Sequence, residues 1–187
     1  MTIVGYGLAG MAIAVGLAPR RLGVKRWSAI LATAVVAANL PDAPLPYWGF
    51  NRYNVSHSVF VAAAILLALT AVLLLWPRGT LEFRGRLAAL IAAAWLSHLV
   101  LDCCDTQGRG LAMFWPFTHA RLALPMPWFG NLPDGWTWDR RALHIIARDV
   151  EFFGPVLLLA VSGRWIGWRR RVRAQAQARA QRPACPV

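Results

Sequence analysis

The sequence predicts an all-α protein: a polytopic membrane bundle of about five helices, with a Trp- and Pro-rich cap loop on its extracytoplasmic side. Three observations lead there. Of 187 residues, 58% are hydrophobic, the mean hydropathy is +0.46, and the excess is gathered in long runs rather than spread as in a soluble core. The net charge of +12 could suggest a nucleic-acid partner, but the basic residues sit in short loops between apolar runs and in the C-terminal tail. That placement is the signature of membrane orientation. Within the apolar runs, ionisable residues stand at the ends and not at mid-depth.

Taken in order, Ile3–Ala18 is apolar, with small residues at Gly5, Gly10, Ala14 and Ala18 suited to close helix packing in lipid. Its basic residues, Arg20 to Arg26, follow the run, whereas a secretory signal carries them before it. Trp27–Leu40 is the second run, long enough to span if Leu22–Arg26 are helical and their basic side chains snorkel. Asn39-Leu40-Pro41-Asp42-Ala43-Pro44 ends it. The aromatic loop Leu45–Asn54 belongs at an interface. Val55–Trp76 is the clearest transmembrane helix, with Ser56 as its expected N-cap and His57 in its first turn. Pro77–Gly85 reads as a short basic turn and Arg86–Cys104 as the next helix. Asp105–Arg141, carrying Trp115, Trp128, Trp136 and Trp138, is expected to fold back over the membrane surface as a cap. Leu143–Trp168 is the last span, with a kink expected at Pro155. Arg169–Arg182 is a basic helical tail suited to anionic lipid headgroups, and no nucleic-acid partner is expected. Pro183–Val187 is expected to be disordered.

The charges orient this arrangement. With the Arg20–Arg26 loop inside, fourteen basic residues fall inside and six outside, which places the N-terminus outside and the C-terminus in the cytoplasm. Residues 1–168 are then a membrane-embedded domain and 169–187 a cytoplasmic tail. Cys103, Cys104 and Cys185 form no CxxC pair and no disulfide framework; Cys103 or Cys104 as a metal ligand is the lesser alternative to a buried thiol.

The chemistry gathers at one face. His98 and Asp102, four residues apart, share one side of their helix at the end of an apolar run. Ionisable groups there are costly unless paired, ligated or near water. The topology brings Asp42 and His57 to the same outer face. Taken singly, each residue has an ordinary structural role: a turn-ending Asp, a helix-end His, an interhelical polar pair. Together, two His and two Asp are the ligand types expected for a divalent cation, zinc first, with manganese or iron as alternatives.

These residues carry a resemblance. Pro41-Asp42, then Arg52 and Ser56-His57-Ser58, then His98, Asp102 and Gly108, then Phe114-Trp115-Pro116-Phe117-Thr118-His119-Ala120-Arg121 occur in an order that resembles the LexA-regulated, YdjM-like family of bacterial inner-membrane proteins described as predicted metal-dependent hydrolases. The resemblance covers roughly residues 5–125. It implies a bacterial inner (plasma) membrane location. Through a distant grouping with zinc-dependent phospholipase C and the S1/P1 nucleases, it also implies phosphoester hydrolysis by analogy of fold. Four positions depart from the family pattern: Tyr6 stands where a first His is expected, Pro44 replaces a second Asp, Asn51 a His, and Asp105 a Thr.

The expected assignment follows. His57, His98, Asp102 and Asp42 hold the metal. Asp105 or Glu151 serves as general base. Arg52, Arg121 and His119 bind an anionic ester or phosphoester substrate, with a lipid-borne one as a candidate, at the outer membrane-water interface. Glu151 could instead pair with Arg148, and the arginines could instead meet headgroups. Two rival readings are a non-catalytic membrane protein with a degenerate metal site and a transporter; the latter needs mid-membrane ionisable residues that the runs lack.

Overall fold

The computed structural model describes residues 1–19, 22–43, 52–104, 110–124, 128–130 and 139–180, the side chains of 52, 53 and 178–180 excepted. Among these residues there are six α-helices: α1 (Ile3–Leu17), α2 (Val24–Asn39), α3 (Arg52–Ser56), α4 (Val59–Leu75), α5 (Leu81–Asp102) and α6 (Arg140–Ala180). Leu40–Asp42 forms a 3-10 turn at the end of α2. No strand occurs among the described residues; an isolated antiparallel bridge pairs Leu111 with Leu122. The chain is all-helical, as its sequence predicts.

The packing is small inside and large outside. Ala14, Ala34, Ala38, Ala62 and Ala94 are fully buried, whereas Leu67, Leu75, Leu81, Leu158 and Leu159 are well exposed. A water-soluble bundle buries its large apolar side chains first. Buried small residues let backbones approach: a Cβ on Gly10 would lie 2.7 Å from the Ala34 carbonyl oxygen, so α1 and α2 touch there through their main chains. α1 packs on α2, α5 and α6, while α2 and α4 pack on α5.

Two helix starts differ from the sequence reading. Ser58, not Ser56, caps α4: its Oγ accepts from the N–H groups of Phe60 at 3.2 Å and Val61 at 3.5 Å. Its hydroxyl also donates to the Trp115 carbonyl, whereas Ser56 Oγ lies against His57 Nδ1. α3 therefore ends at Ser56 and His57 sits in the junction between two helices. α5 starts five residues early, at Leu81, because the Thr80 hydroxyl accepts from Phe83 N–H at 3.2 Å. Its 22 residues make it the one described helix long and apolar enough to cross a membrane; Ile3–Leu17 and Val59–Leu75 are apolar but shorter. α6 runs unbroken from Arg140 to Ala180 with Pro155 inside it, so the expected last span and basic tail are one helix.

Cross-ties fix the helix ends. Arg164 on α6 closes α1, donating from Nη1 to Val15 and Ala18 carbonyls at 2.9 Å each and from Nη2 to Pro19 at 2.8 Å. The described parts of the cap loop return to the end of α5: Leu124 N–H bonds the Cys103 carbonyl at 2.7 Å and Trp128 N–H bonds Cys104 at 3.1 Å. Phe129 then stacks on Phe153 of α6 with centroids 5.5 Å apart. Trp136 and Trp138 lie outside the described residues.

Candidate metal centre

Four elements meet at one end of the bundle. The 3-10 turn that Pro41 forces after α2 carries Asp42. The α3–α4 junction presents His57, and the last turn of α5 presents His98 and Asp102, one above the other. α1 contributes Tyr6. His57, His98 and Asp102 are buried, at 1%, 0% and 8% exposure, while the Asp42 side chain is 43% exposed and forms the open side.

The ligand-type atoms converge. His57 Nε2 lies 3.3 Å from Asp42 Oδ1 and 3.1 Å from Asp102 Oδ2. His98 Nε2 lies 3.6 Å from Asp42 Oδ1 and 3.5 Å from Asp102 Oδ2, and the two Nε2 atoms are 3.2 Å apart. All four residues offer a ligand atom within 4.8 Å of every other. A tetrahedron with bonds of about 2.0–2.1 Å has edges of about 3.3–3.4 Å, close to these separations. The donor set, its spacing and its single open side fit a divalent cation.

The surroundings aim these atoms inward. His98 Nδ1 lies 2.8 Å from the Ala38 carbonyl. A carbonyl only accepts, so Nδ1 carries the proton and Nε2 turns its lone pair to the centre. His57 Nδ1 lies 2.7 Å from Ser56 Oγ, which orients the second ring. Tyr6 donates its hydroxyl proton to Asp102 Oδ1, leaving Oδ2 toward the two imidazoles. Its ring stacks on His98 with centroids 3.9 Å apart and planes at 24°. For Asp42, partial burial acts to raise the carboxyl pKa, but the bonds and charges of His57 and His98 outweigh it and hold the group well below the usual carboxylate range.

The cysteines stay outside this set. Cys103 Sγ donates to Leu99 O at 3.3 Å and Cys104 Sγ lies 3.8 Å from Val100 O, both pointing back along α5.

The other expected site residues lie elsewhere. Glu151 is exposed on α6 and lines a cleft of about 310 Å³ with Trp128, Phe129, Arg148 and Phe152; it is not one of the converging four. His119 is exposed, and Arg121 Nη1 donates to the Gly110 carbonyl at 3.3 Å. Asp105 and the side chain of Arg52 lie outside the described residues. Two features escaped the sequence reading. Tyr6 stands where the family pattern predicts a His, and its phenol touches both Asp102 and His98. Asp149, 1% exposed, accepts from Thr2 N–H at 2.9 Å and from the Thr2 hydroxyl at 2.5 Å, tying α6 to the start of α1.

A family model described as YdjM inner membrane protein matches residues 1–175 of the chain. The match covers nearly the whole sequence and agrees with the motif resemblance: the chain belongs to the YdjM inner membrane protein family. No curated protein and no solved structure matches it.

Proposed function

We propose that this member of the YdjM inner membrane protein family is a membrane-bound, metal-dependent hydrolase of an ester or phosphoester. His57, His98, Asp102 and Asp42 hold one divalent cation, zinc first. The observation that carries the reading is the meeting of two imidazole nitrogens and two carboxylate oxygens in an otherwise apolar bundle, with nitrogen–oxygen and nitrogen–nitrogen separations of 3.1–3.6 Å and all four atoms within 4.8 Å of one another. A cation in such a site supplies Lewis acidity and an activated water at neutral pH. The chain's own residues do the rest. Ser56 and the Ala38 carbonyl orient the rings, and the exposed side at Asp42 admits substrate and water. Asp105, three residues past Asp102, is the first candidate for the base, with Glu151 the second. Arg52, Arg121 and His119 are the candidates to hold the substrate's anionic group. The exposed leucines of α4 and α6 support a multi-span arrangement with this site at headgroup level, so a lipid-borne substrate is the first class to try. A single cation suits the chain better than a cluster, because Tyr6 occupies one flank of Asp102 as a hydrogen-bond donor.

Metal analysis by mass spectrometry on detergent-purified protein tests this, with wild type beside a His57→Ala/His98→Ala variant. Near-stoichiometric zinc, manganese or iron in the wild type, lost in a folded variant, is the expected result and justifies screening phosphoester and lipid substrates. Equal trace metal in both would overturn the reading.

A further inference from the structure

The far end of the bundle holds a second feature that the metal centre does not use. Between the start of α2, the α4–α5 turn, the start of α5 and the C-terminal part of α6 lies a cavity of about 900 Å³. Arg26, Arg78, Arg86 and Arg171 line it, each from a different one of these elements. Glu82 is the one acidic residue in its lining and is already bound to Arg86 at 2.6 Å. Four guanidinium groups thus face one carboxylate. Among the described residues no ion pair engages Arg26, Arg78 or Arg171; Arg78 sits over the Trp76 ring and Arg171 Nε donates to its own helix at Gly167. Leu22 and Phe83 add apolar surface to the lining. The cavity lies at the N-terminal end of α5 and the metal centre at its C-terminal end, so about 33 Å of helix separates them.

Like charges from four chain segments repel one another around a shared space, and that arrangement is relieved by an anion in the space. Guanidinium groups bind phosphate oxygens in a planar fork with two parallel hydrogen bonds. Apolar side chains beside guanidinium groups in one lining fit a ligand with a charged head and a greasy stem, and the volume is that of a small-molecule site. We infer that this cavity is a phosphate-binding seat, occupied by the headgroup of an anionic phospholipid. The seat is separate from general attraction of the basic tail to a charged surface, because it needs Arg26 and Arg78, which lie far along the chain from that tail.

Native mass spectrometry of the full-length protein with dioleoyl phosphatidylglycerol or dioleoyl phosphatidylcholine reads the occupancy. Two charge-matched variants decide the matter. Arg26→Gln/Arg171→Gln removes two cavity guanidiniums, and Arg170→Gln/Arg173→Gln removes two from the same tail that do not line it. The wild type is expected to take phosphatidylglycerol at least tenfold more tightly than phosphatidylcholine, the cavity pair to lose that preference, and the tail pair to keep it within twofold. Arg26→Glu gives the same reading in one substitution, at an exposed residue with no structural partner to lose. Millimolar inorganic phosphate that displaces the lipid would place recognition in the phosphate alone and admit a free phosphate as occupant; failure to displace it would assign the seat to the lipid-borne group. Equal losses in the two charge-matched pairs, or no preference between the lipids, would overturn the proposal.

Discussion

The bundle buries carboxylates in two places, and they are built in opposite ways. Asp149 is enclosed by donors: the N–H and hydroxyl of Thr2 both point at its Oδ2, and Gly5 leaves the room, since a Cβ there would stand 2.6 Å from that oxygen. Both of these contacts are donor to acceptor, and the carboxylate is buried. At the other place, Asp42 and Asp102 face His57 and His98, and each of the four offers a ligand-type atom beside one open side. The backbone keeps the His98 Nδ1 proton on the outside. A buried polar group with matched donors is a tie between helices. Two imidazoles and two carboxylates that converge beside an open side are instead a donor set that a divalent cation can satisfy.

The sharpest way to break this contrast is to cut each place in turn. His98→Ala removes one of four converging ligands and is expected to reduce bound metal to trace while the protein still folds, by metal analysis and a thermal melt in detergent. Asp149→Ala is expected to do the reverse. It strands the buried N–H and hydroxyl of Thr2, lowers stability by about 1–3 kcal/mol, and leaves metal stoichiometry intact. If Asp149→Ala empties the metal site of a folded protein, the two places are coupled and the contrast fails.

Tyr6 sharpens the comparison because it brings a donor into the acceptor-rich place. Its hydroxyl takes up Asp102 Oδ1 and its ring lies on His98. Tyr6→Phe keeps the stacked ring and deletes the hydrogen bond. Loss of an outer partner of a ligand lowers metal affinity by about 10–100-fold. A fall near the lower end, about tenfold, is expected in a competition titration against a chromophoric chelator, with the metal-free protein destabilised by about 1–3 kcal/mol because buried Asp102 Oδ1 loses its donor. Equal affinities in wild type and variant would make Tyr6 packing alone.

How much of this could be read from the sequence follows from the range of each interaction. The His98–Asp102 pair is legible because one helical turn fixes it, and the distribution of basic residues brought Asp42 and His57 to the same end. The apolar runs announced the helices, and α1's Gly10 announced a close helix contact that the structure places against Ala34. The Thr2–Asp149 tie joins residues 147 apart, which no local pattern encodes. Tyr6 reaches Asp102 across 96 residues because α1 is rotated by its packing on α2 and α6, so the sequence offered a missing His at that position and not a phenol. The α4 start at Ser58 has a similarly distant cause. Two serines flank His57, and the choice between them rests on the Trp115 carbonyl 57 residues away.

That choice supplies the smallest of the expected effects and the finest test of the contrast. His57 and Ser58 are neighbours, both buried, yet they fall on opposite sides of the division. His57 turns a ring nitrogen to the centre, whereas Ser58 turns its oxygen to the first N–H groups of α4 and its proton to Trp115. Ser58→Ala therefore removes a cap and one loop anchor, at a cost of about 1 kcal/mol. Hydrogen exchange is expected to quicken at Phe60 and Val61, whose N–H groups lose their acceptor, while metal stoichiometry stays at the wild-type value. Metal loss in a folded Ser58→Ala protein would show that the α3–α4 junction is held in ligand geometry by its cap, and that the tie and the cation site are one construction at this point.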